Sequence, residues 1–319
     1  MPKRSKVRPL LVALAYRMLG SVMDAEDIVQ EAYLQWQRRG DVQIASPKAF
    51  LSTIVIRQSI NQLHTLRARR ETYPGPWLPE PVIAEAAPDQ ADRLLLHESL
   101  SMAFVVLLEQ LTPVERAVFL LHDVFVYDFH EIARIMGREE ANCRQIARRA
   151  RQHIQAHRPR FDPNPVQHQR LTQQFIAACT TGDLDALLGT LANDVTFWGD
   201  GGGKAAFSAP HPIVGAQRVA AFMLGVLAKL PGTIRPQPTM VNGQPGFIFS
   251  TDYGLGGVLA LDIVDTRIQG IRFVANPDKL RAGSATRTTL MHRTGRPRLR
   301  TLWGTRRVLA QAVEELRTG

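Results

Sequence analysis

Apolar residues recur every three or four positions through most of the first 155 residues, and this spacing predicts amphipathic helices. One helix is predicted over residues 7–19 and a second over residues 24–38. Asp24 and Asp27 would open the second helix in a box-like arrangement, because acidic side chains suit the positive end of a helix dipole. Gly40 is expected to stop this second helix.

A third helix has a complete start signal. Ser46 supplies a capping hydroxyl, and Pro47 follows at the first helical position. The apolar spacing continues to about Arg70, while basic side chains become more frequent towards the C-terminal end. Residues 7–70 are therefore predicted to form a three-helix domain with one basic surface.

Residues 71–88 interrupt the helical pattern. Four prolines within eight residues forbid a helix and favour an extended polyproline conformation. Tyr73, Trp77 and Leu78 are unusually apolar for a spacer. Two interpretations stay open here: a solvated linker, or a segment that docks on a protein surface.

Residues 89–158 form a second predicted helical domain, with helices over 89–110 and 114–125 followed by two short helices around a tight turn. Asp128 is expected to cap the first short helix, and Gly137 lies where the chain must leave it. The second, over 141–153, has an apolar face with arginines outside that face. This pattern predicts a helix-turn-helix whose second helix enters a major groove. The alternative is a solvated basic helix in an ordinary bundle.

The pattern changes after a second proline-broken linker at residues 158–165. Helices are predicted over 171–181, 184–192 and 216–230, and strands over 195–198, 233–241, 246–253, 257–264 and 268–275. Asn242-Gly243 is a strong hairpin signal. Three helices followed by a curled antiparallel sheet predict an α+β cone over residues 168–281. Residues 200–204 are expected to form a mobile loop, and residues 282–319 a basic tail with a last helix over 302–316.

The net charge of the chain indicates which kinds of molecule it is expected to bind. The chain has 319 residues, a net charge of +10 and a pI near 10.2. Such a surface favours polyanions, and nucleic acid is preferred over anionic lipid because no amphipathic helix is rich in lysine. No run of about 18 apolar residues predicts a membrane span, and no export signal is expected. The two cysteines are expected to pack in a core, which fits a cytoplasmic protein.

Three groups of residues together resemble a known family. The first is AYRMLG at 15–20 with DAEDIVQEA at 24–32, and the second is the capped helix and helix-turn-helix from Thr112. The third is DGGGK at 200–204 and NPDKL at 276–280, with WLPEP at 77–81 between the helical domains. In this order they resemble the extracytoplasmic-function sigma factors that carry a C-terminal SnoaL-like domain.

The resemblance implies a sigma factor that binds core RNA polymerase and directs promoter-specific initiation, with no enzyme activity and no cofactor. Residues 7–70 would be region 2 and residues 89–158 region 4. The residues expected to contact the β′ clamp helices are Asp27, Gln30, Glu31 and Leu34. Those expected at the −10 element are Arg57, Asn61, His64 and Arg67. Those expected at the −35 element are Asn142, Arg144, Gln145, Arg148 and Arg149.

The resemblance also implies that the cone regulates the sigma domains in cis, in place of a separate anti-sigma partner. The linker residues expected to dock on the cone are Trp77, Leu78 and Pro79. The first expected contact loop consists of Asp200, Gly201, Gly202, Gly203 and Lys204. The second consists of Asn276, Pro277, Asp278, Lys279 and Leu280.

The sequence gives less support to catalytic, nucleotide-binding or metal-binding roles. The glycine-rich loop lacks the spacing of a phosphate-binding loop, and the histidines show no metal-ligand cluster. Four aspartates could supply a catalytic carboxylate: Asp200, Asp252, Asp262 and Asp278. None of them has a His or Tyr at a sequence spacing that would indicate a catalytic pair. Two alternatives remain: a helix-turn-helix regulator whose cone binds an unknown small ligand, and an isomerase or cyclase enzyme.

Overall fold

A computed structural model describes residues 3–38, 46–84, 101–157, 165–205, 208–230, 232–252 and 254–285. The chain forms two compact units. The first contains residues 1–72 and 89–159, and the second contains residues 73–88 and 160–319. The predicted stop at Gly40, the linker at 158–164 and the helix over 302–316 lie outside the described residues.

The first unit begins with α1 (Lys3–Leu19), α2 (Val22–Arg38) and α3 (Pro47–Glu71). The prediction that Asp24 opens α2 is wrong by two residues. The backbone N–H of Asp24 donates to the Ser21 hydroxyl at 3.1 Å, so Ser21 satisfies the free amides of the first turn. The start of α3 is confirmed, because the Ser46 hydroxyl accepts from the Ala49 amide ahead of a proline in the first turn.

The remainder of this unit consists of α4 (Met102–Leu108), α5 (Pro113–Phe119), a π-helix (Leu120–Val124), α6 (Phe129–Met136) and α7 (Glu140–His157). The helix predicted over 89–110 is described only from Ser101 onwards. Thr112 and Glu115 form the predicted capping box of α5. After Phe119 the helix continues as the π-helix, which the spacing of apolar residues in the sequence did not predict.

The helix-turn-helix geometry is confirmed. The Asp128 carboxylate accepts from the Glu131 amide at 2.7 Å, and Gly137 has a φ of 63°, which glycine adopts without steric cost. On α7, the side chains of Cys143, Ile146 and Ala147 are buried. They anchor the helix and leave its opposite face exposed.

Val126 sits in a strained turn directly before the helix-turn-helix. Its φ is 57°, a conformation that costs a β-branched residue about 1–3 kcal/mol, and its side chain is 85% exposed. Backbone hydrogen bonds hold the residues on either side of Val126. The Phe125 amide donates to the Leu120 carbonyl, and the Tyr127 amide donates to the Leu121 carbonyl. Neighbouring contacts therefore impose this conformation on Val126.

Val126→Gly is expected to raise the free energy of unfolding by about 1 kcal/mol. Relief of the backbone strain exceeds the extra unfolded-chain entropy of glycine, and little packing is lost at so exposed a position. Urea unfolding followed by circular dichroism measures the change. Val126→Ala is the matched control, since it keeps the Cβ atom and hence most of the strain. An equal gain in both variants would contradict this explanation.

The second unit contains α8 (Pro165–Thr181), α9 (Leu184–Thr190), α10 (Ala216–Lys229) and α11 (Pro277–Ala285). Its described strands are β1 (Ile83–Ala84), β2 (Leu191–Asp200), β3 (Ile213–Val214), β4 (Arg235–Val241), β5 (Gln244–Thr251), β6 (Gly254–Val264) and β7 (Arg267–Val274). They form one sheet in the order β1-β4-β5-β6-β7-β2-β3. The architecture is the predicted α+β cone.

Three features of this unit differ from the prediction. The sheet is mixed, because β2 runs parallel to β7. The second helix ends at Thr190, and the strand starts at Leu191 with a buried side chain. The linker contributes β1, which pairs with β4. The Asn242-Gly243 hairpin is confirmed, since both residues have positive φ.

Aromatic side chains fill the side of the sheet that faces the helices. Phe175 and Phe247 are fully buried with ring centroids 6.4 Å apart, and Phe197 packs against Phe222 at 5.2 Å. Such ring pairs contribute more than their buried area alone. Among the described helices of the chain, none is both long and apolar enough to cross a membrane.

Candidate linker-binding site and promoter-binding surfaces

An exposed stripe runs along α2. Asp27, Gln30 and Leu34 are exposed, and their spacing places them on one helical face. Met23 extends the same face and is 55% exposed, although the sequence analysis did not select it. Glu31 is half-buried and accepts from Gln35, one helical turn further along α2, at 3.2 Å.

The residues predicted for the −10 element share one exposed side of α3. Arg57, Asn61, His64 and Arg67 are all exposed, while Val55, Ile56 and Leu63 are buried beneath them. The helix therefore presents cationic and hydrogen-bonding groups on a surface anchored by an apolar face.

The residues predicted for the −35 element lie on the exposed face of α7: Asn142, Arg144, Gln145, Arg148 and Arg149. Arg144 differs from the others in its local contacts. It forms an i,i+4 ion pair with Glu140, and its guanidinium carbon lies 5.2 Å from the centre of the Phe129 ring. These contacts orient Arg144 towards the start of α7.

In the second unit, the linker binds around the carboxylate of Asp200. This residue ends β2 and is fully buried. Its Oδ1 accepts from the Tyr73 hydroxyl at 2.5 Å and from the Gly202 amide at 3.1 Å. Its Oδ2 accepts from the Leu78 amide at 2.8 Å. One carboxylate thus holds both the linker and the glycine turn.

Lys279 neutralises this buried carboxylate. Its ammonium group lies 2.6 Å from Asp200 Oδ2 and also donates to the Leu78 carbonyl. The same group lies 4.4 Å from the centre of the Trp77 ring and 5.0 Å from that of Tyr73. An ammonium over two rings gains cation–π attraction in a desolvated place.

The second loop completes the hydrogen-bond network. The Asn276 side-chain amide donates to the Tyr73 hydroxyl at 2.8 Å, while its oxygen accepts from the Asp278 amide. Burial and the hydrogen bond to Asp200 raise the pKa of Tyr73, so the phenol stays protonated and acts as a donor. Pro277 opens α11, and Asp278 forms a surface ion pair with Lys204. Pro79 and Leu280 are both buried.

Asn242 provides a second attachment point for the linker, and the sequence analysis missed it. Its side-chain oxygen accepts from the Val82 amide at 2.9 Å, and its own amide donates to the Val82 carbonyl at 2.8 Å. Ile83 then pairs with Val241 in the sheet. The Asn-Gly signal indicates only a hairpin turn, whereas Asn242 also binds the linker.

Residues 201–204 form a tight turn and Asp200 ends β2, so the prediction of a loop that begins at Asp200 is wrong by one residue. The Lys204 amide donates to the Gly201 carbonyl at 2.9 Å. Gly202 has a φ of 59°, and a Cβ atom there would overlap the Asn276 amide. A Cβ at Gly203 would press on Pro74 of the linker. Glycine is needed here for close approach of the chain segments.

Comparison with known proteins places these features in one family. The Sigma-70 region 2 model matches residues 5–70, and the Sigma-70 region 4 model matches residues 101–154. The sigma factor SigJ of Mycobacterium tuberculosis is 38% identical over 92% of this chain and 96% of its own length. The chain belongs to the extracytoplasmic-function (ECF) sigma factors.

This sigma factor has further relatives of similar extent. The probable ECF sigma factor SigI of M. tuberculosis is 34% identical over 86% of this chain and 92% of its own length. The crystal structure of SigJ superimposes with a TM-score of 0.70 at 34% identity, covering 88% of this chain and 98% of SigJ. The chain therefore binds core RNA polymerase and promoter DNA and directs promoter-specific initiation, and its C-terminal unit is a SnoaL-like α+β cone.

None of the four candidate acids of the sigma factor's cone lies in the aromatic core. Asp200 holds the linker, and Asp252 is paired with Arg235 at 2.9 Å on the surface. Asp262 forms a buried ion pair with Arg272 and accepts from Gln244 at 2.8 Å. Across the described residues, no group of three or more acidic, His or Cys side chains could hold a metal ion.

Proposed function

We propose that the SnoaL-like unit regulates this sigma factor in cis by binding the linker that joins regions 2 and 4. The observation that carries this proposal is the shared use of Asp200 and Lys279 by residues 73–78. Tyr73 and Leu78 contact both side chains, and the Trp77 ring lies against Lys279. Any change that weakens this site would free the tether between the two promoter-binding regions.

The polymerase contact is proposed for the exposed face of α2. Met23 and Leu34 place apolar surface at both ends of the stripe, while Asp27 and Gln30 add polar groups between them. Exposed apolar side chains with a polar surround suit a protein partner. We assign this face to the β′ clamp helices, in the cytoplasm where core polymerase and promoter DNA are found.

The DNA contacts are proposed for α3 and α7. Promoter opening requires unpaired bases to be captured and a single strand to be held. Asn61 and His64 can hydrogen-bond base edges, and Arg57 and Arg67 can pair with phosphates or stack on bases. The arginines of α7 suit guanine edges and phosphates of the −35 duplex.

The geometry gives less support to an enzymatic role for the cone. The acids that could act as a base are engaged in ion pairs or in linker binding, and the core between helices and sheet is aromatic. A general base must reach its substrate within hydrogen-bond distance. We therefore propose a regulatory role for the cone, in which no turnover is required.

Run-off transcription with core RNA polymerase tests this proposal. Trp77→Ala removes the ring over Lys279 and is expected to change transcript yield without changing core-polymerase affinity. Leu184→Ala is the matched control, since Leu184 is an apolar side chain of the same unit that is 46% exposed. Equal yield from the Trp77 variant, the control and the parent would count against regulation by the docked linker.

A plain helix-turn-helix regulator would behave differently in the same experiment. It would protect promoter DNA without core polymerase, and Asp27→Ala would leave its activity unchanged. The sigma assignment predicts that protection of both elements requires core polymerase, and that Asp27→Ala weakens polymerase binding.

A further inference from the structure

Two neighbouring side chains of the π-helix hold one arginine of α7. The Nε of Arg151 donates to Asp123 Oδ1 at 2.7 Å, and its Nη2 lies 2.8 Å from Nδ1 of His122. Because a guanidinium only donates hydrogen bonds, the imidazole nitrogen is the acceptor. The planar guanidinium is thus fixed at two points, which sets the direction of the Arg151 side chain.

A row of two rings leads from this contact to a second arginine of α7. The ring centres of His122 and Phe129 are 4.3 Å apart. On the other side of Phe129, the guanidinium carbon of Arg144 lies 5.2 Å from the ring centre. The π-helix and α6 therefore contact α7 through two arginines that are seven positions apart.

The two held arginines lie on one face of α7, because seven residues complete about two helical turns. Arg148 lies between them on this face and is exposed. Across the described part of the chain, Arg148 makes no ion pair and no side-chain hydrogen bond. Protein contacts thus hold both ends of a row of three arginines and leave the middle one available to DNA.

The π-helix is a firm support for these contacts. Leu120 and Leu121 are fully buried, and the Phe125 amide donates to the Leu120 carbonyl five positions earlier. Such wide turns are rare and are frequent at functional sites. Here the two residues that follow the buried leucines, His122 and Asp123, both contact Arg151.

We propose that Asp123, His122 and Phe129 are positioning residues for promoter recognition, which act on α7 through Arg151 and Arg144. This inference rests on the proposed contact of α7 with the −35 element. Arg151 binds the protein and keeps α7 in the rotation that directs the exposed side chains of the row into the major groove. Hydrogen bonds to base edges weaken steeply when their angle changes, so a rotated helix loses sequence discrimination.

A direct contact of Arg151 with a DNA phosphate is the competing explanation, since its side chain is 37% exposed. The salt dependence of DNA binding separates the two roles. Each phosphate that a cation neutralises contributes about one unit to the slope of log binding constant against log salt. Arg151→Ala is expected to leave this slope unchanged, whereas Arg148→Ala lowers it by about one unit.

Charge reversal tests the pairing of Asp123 with Arg151 in the holoenzyme. Core RNA polymerase carrying the full-length chain is bound to a duplex library with randomised −35 positions, and the bound DNA is sequenced. Arg151→Glu and Asp123→Lys are each expected to lower the enrichment of preferred sequences about fivefold. The double variant restores the pair with opposite polarity and is expected to recover most of the enrichment.

Two further variants complete the experiment. Phe129→Leu removes the ring between His122 and Arg144 but keeps an apolar side chain, and it is expected to lower the enrichment in the same direction. Asp252→Lys is the matched control, because it reverses the acid of an exposed arginine pair in the SnoaL-like unit. This control is expected to leave the enrichment at the parent value. Circular dichroism checks that each variant is folded.

Two results would overturn the positioning role. One is a double variant that stays as weak as Arg151→Glu, which a direct contact predicts because an acid at position 151 repels phosphates. The other is a salt slope that falls by about one unit in Arg151→Ala; this measurement decides even if the double variant folds poorly. Failure of the proposed −35 contact has a different result: the parent chain then shows no preference among the randomised positions, and Arg148→Ala leaves the slope unchanged.

Discussion

Asp200→Asn is expected to lower the free energy of unfolding of the SnoaL-like unit by about 3–5 kcal/mol. The carboxylate is fully buried and is the counter-ion of the Lys279 ammonium. An asparagine there leaves that charge uncompensated and replaces an acceptor of the Tyr73 or Leu78 hydrogen bond by an amide donor. Urea unfolding of the full-length chain, followed by tryptophan fluorescence, measures the loss.

Asp252→Asn is the matched control for this prediction. Its carboxylate likewise pairs with a basic side chain, here Arg235, and accepts from a backbone amide, but on the exposed surface of the same unit. A surface pair is screened by solvent, so we expect a small change. Equal effects of the two substitutions would mean that the linker site contributes no special stability.

Arg116→Ala is expected to destabilise the first unit by a similar amount, about 3–5 kcal/mol. The guanidinium is 2% exposed and donates to the Arg17 carbonyl, the Val105 carbonyl and Glu109. Truncation leaves two buried carbonyls without this donor and opens a cavity in a packed interior. Urea unfolding monitored by circular dichroism measures the loss.

The control for Arg116 is Arg144→Ala. Arg144 also pairs with a glutamate, but its side chain is 62% exposed on α7. We expect at most about 1 kcal/mol from an exposed pair. If Arg116→Ala were as mild as this control, the interior of the unit would have to rearrange and satisfy both carbonyls in another way.

The site of Asp200 and Lys279 holds the linker that joins regions 2 and 4. It is a buried ion pair with additional backbone donors and acceptors. A single substitution could therefore weaken this site without altering the exposed residues that are proposed to face polymerase or DNA.

Local signals account for the helical elements that were predicted well. A capping hydroxyl before Pro47, a capping box at Thr112 and a glycine after α6 act within one helical turn, so their effect is visible in neighbouring residues. Where two local signals competed, the prediction was wrong: Ser21 rather than Asp24 caps α2. Both residues can accept from a free amide, and spacing alone did not rank them.

Long-range pairing explains what local signals could not indicate. Two-residue β1 has no alternation to detect, and it exists only because β4 offers an open edge at Val241. Parallel pairing of β2 with β7 likewise joins strands that are distant in the chain. Tyr127, which follows the strained turn at Val126, likewise shares a hydrogen bond with Ser52, 75 positions away in the chain.

The amino-acid sequence by itself determined the helical regions, the exposed basic faces of α3 and α7 and the family to which the chain belongs. These depend on periodicity and short motifs, which act between residues close in the chain. Only the tertiary structure decided that Tyr73 meets Asp200 across 127 positions and that Glu109 serves two arginines. Such pairs form because folding buries charged groups, and a buried charge needs whichever partner the packing brings within reach.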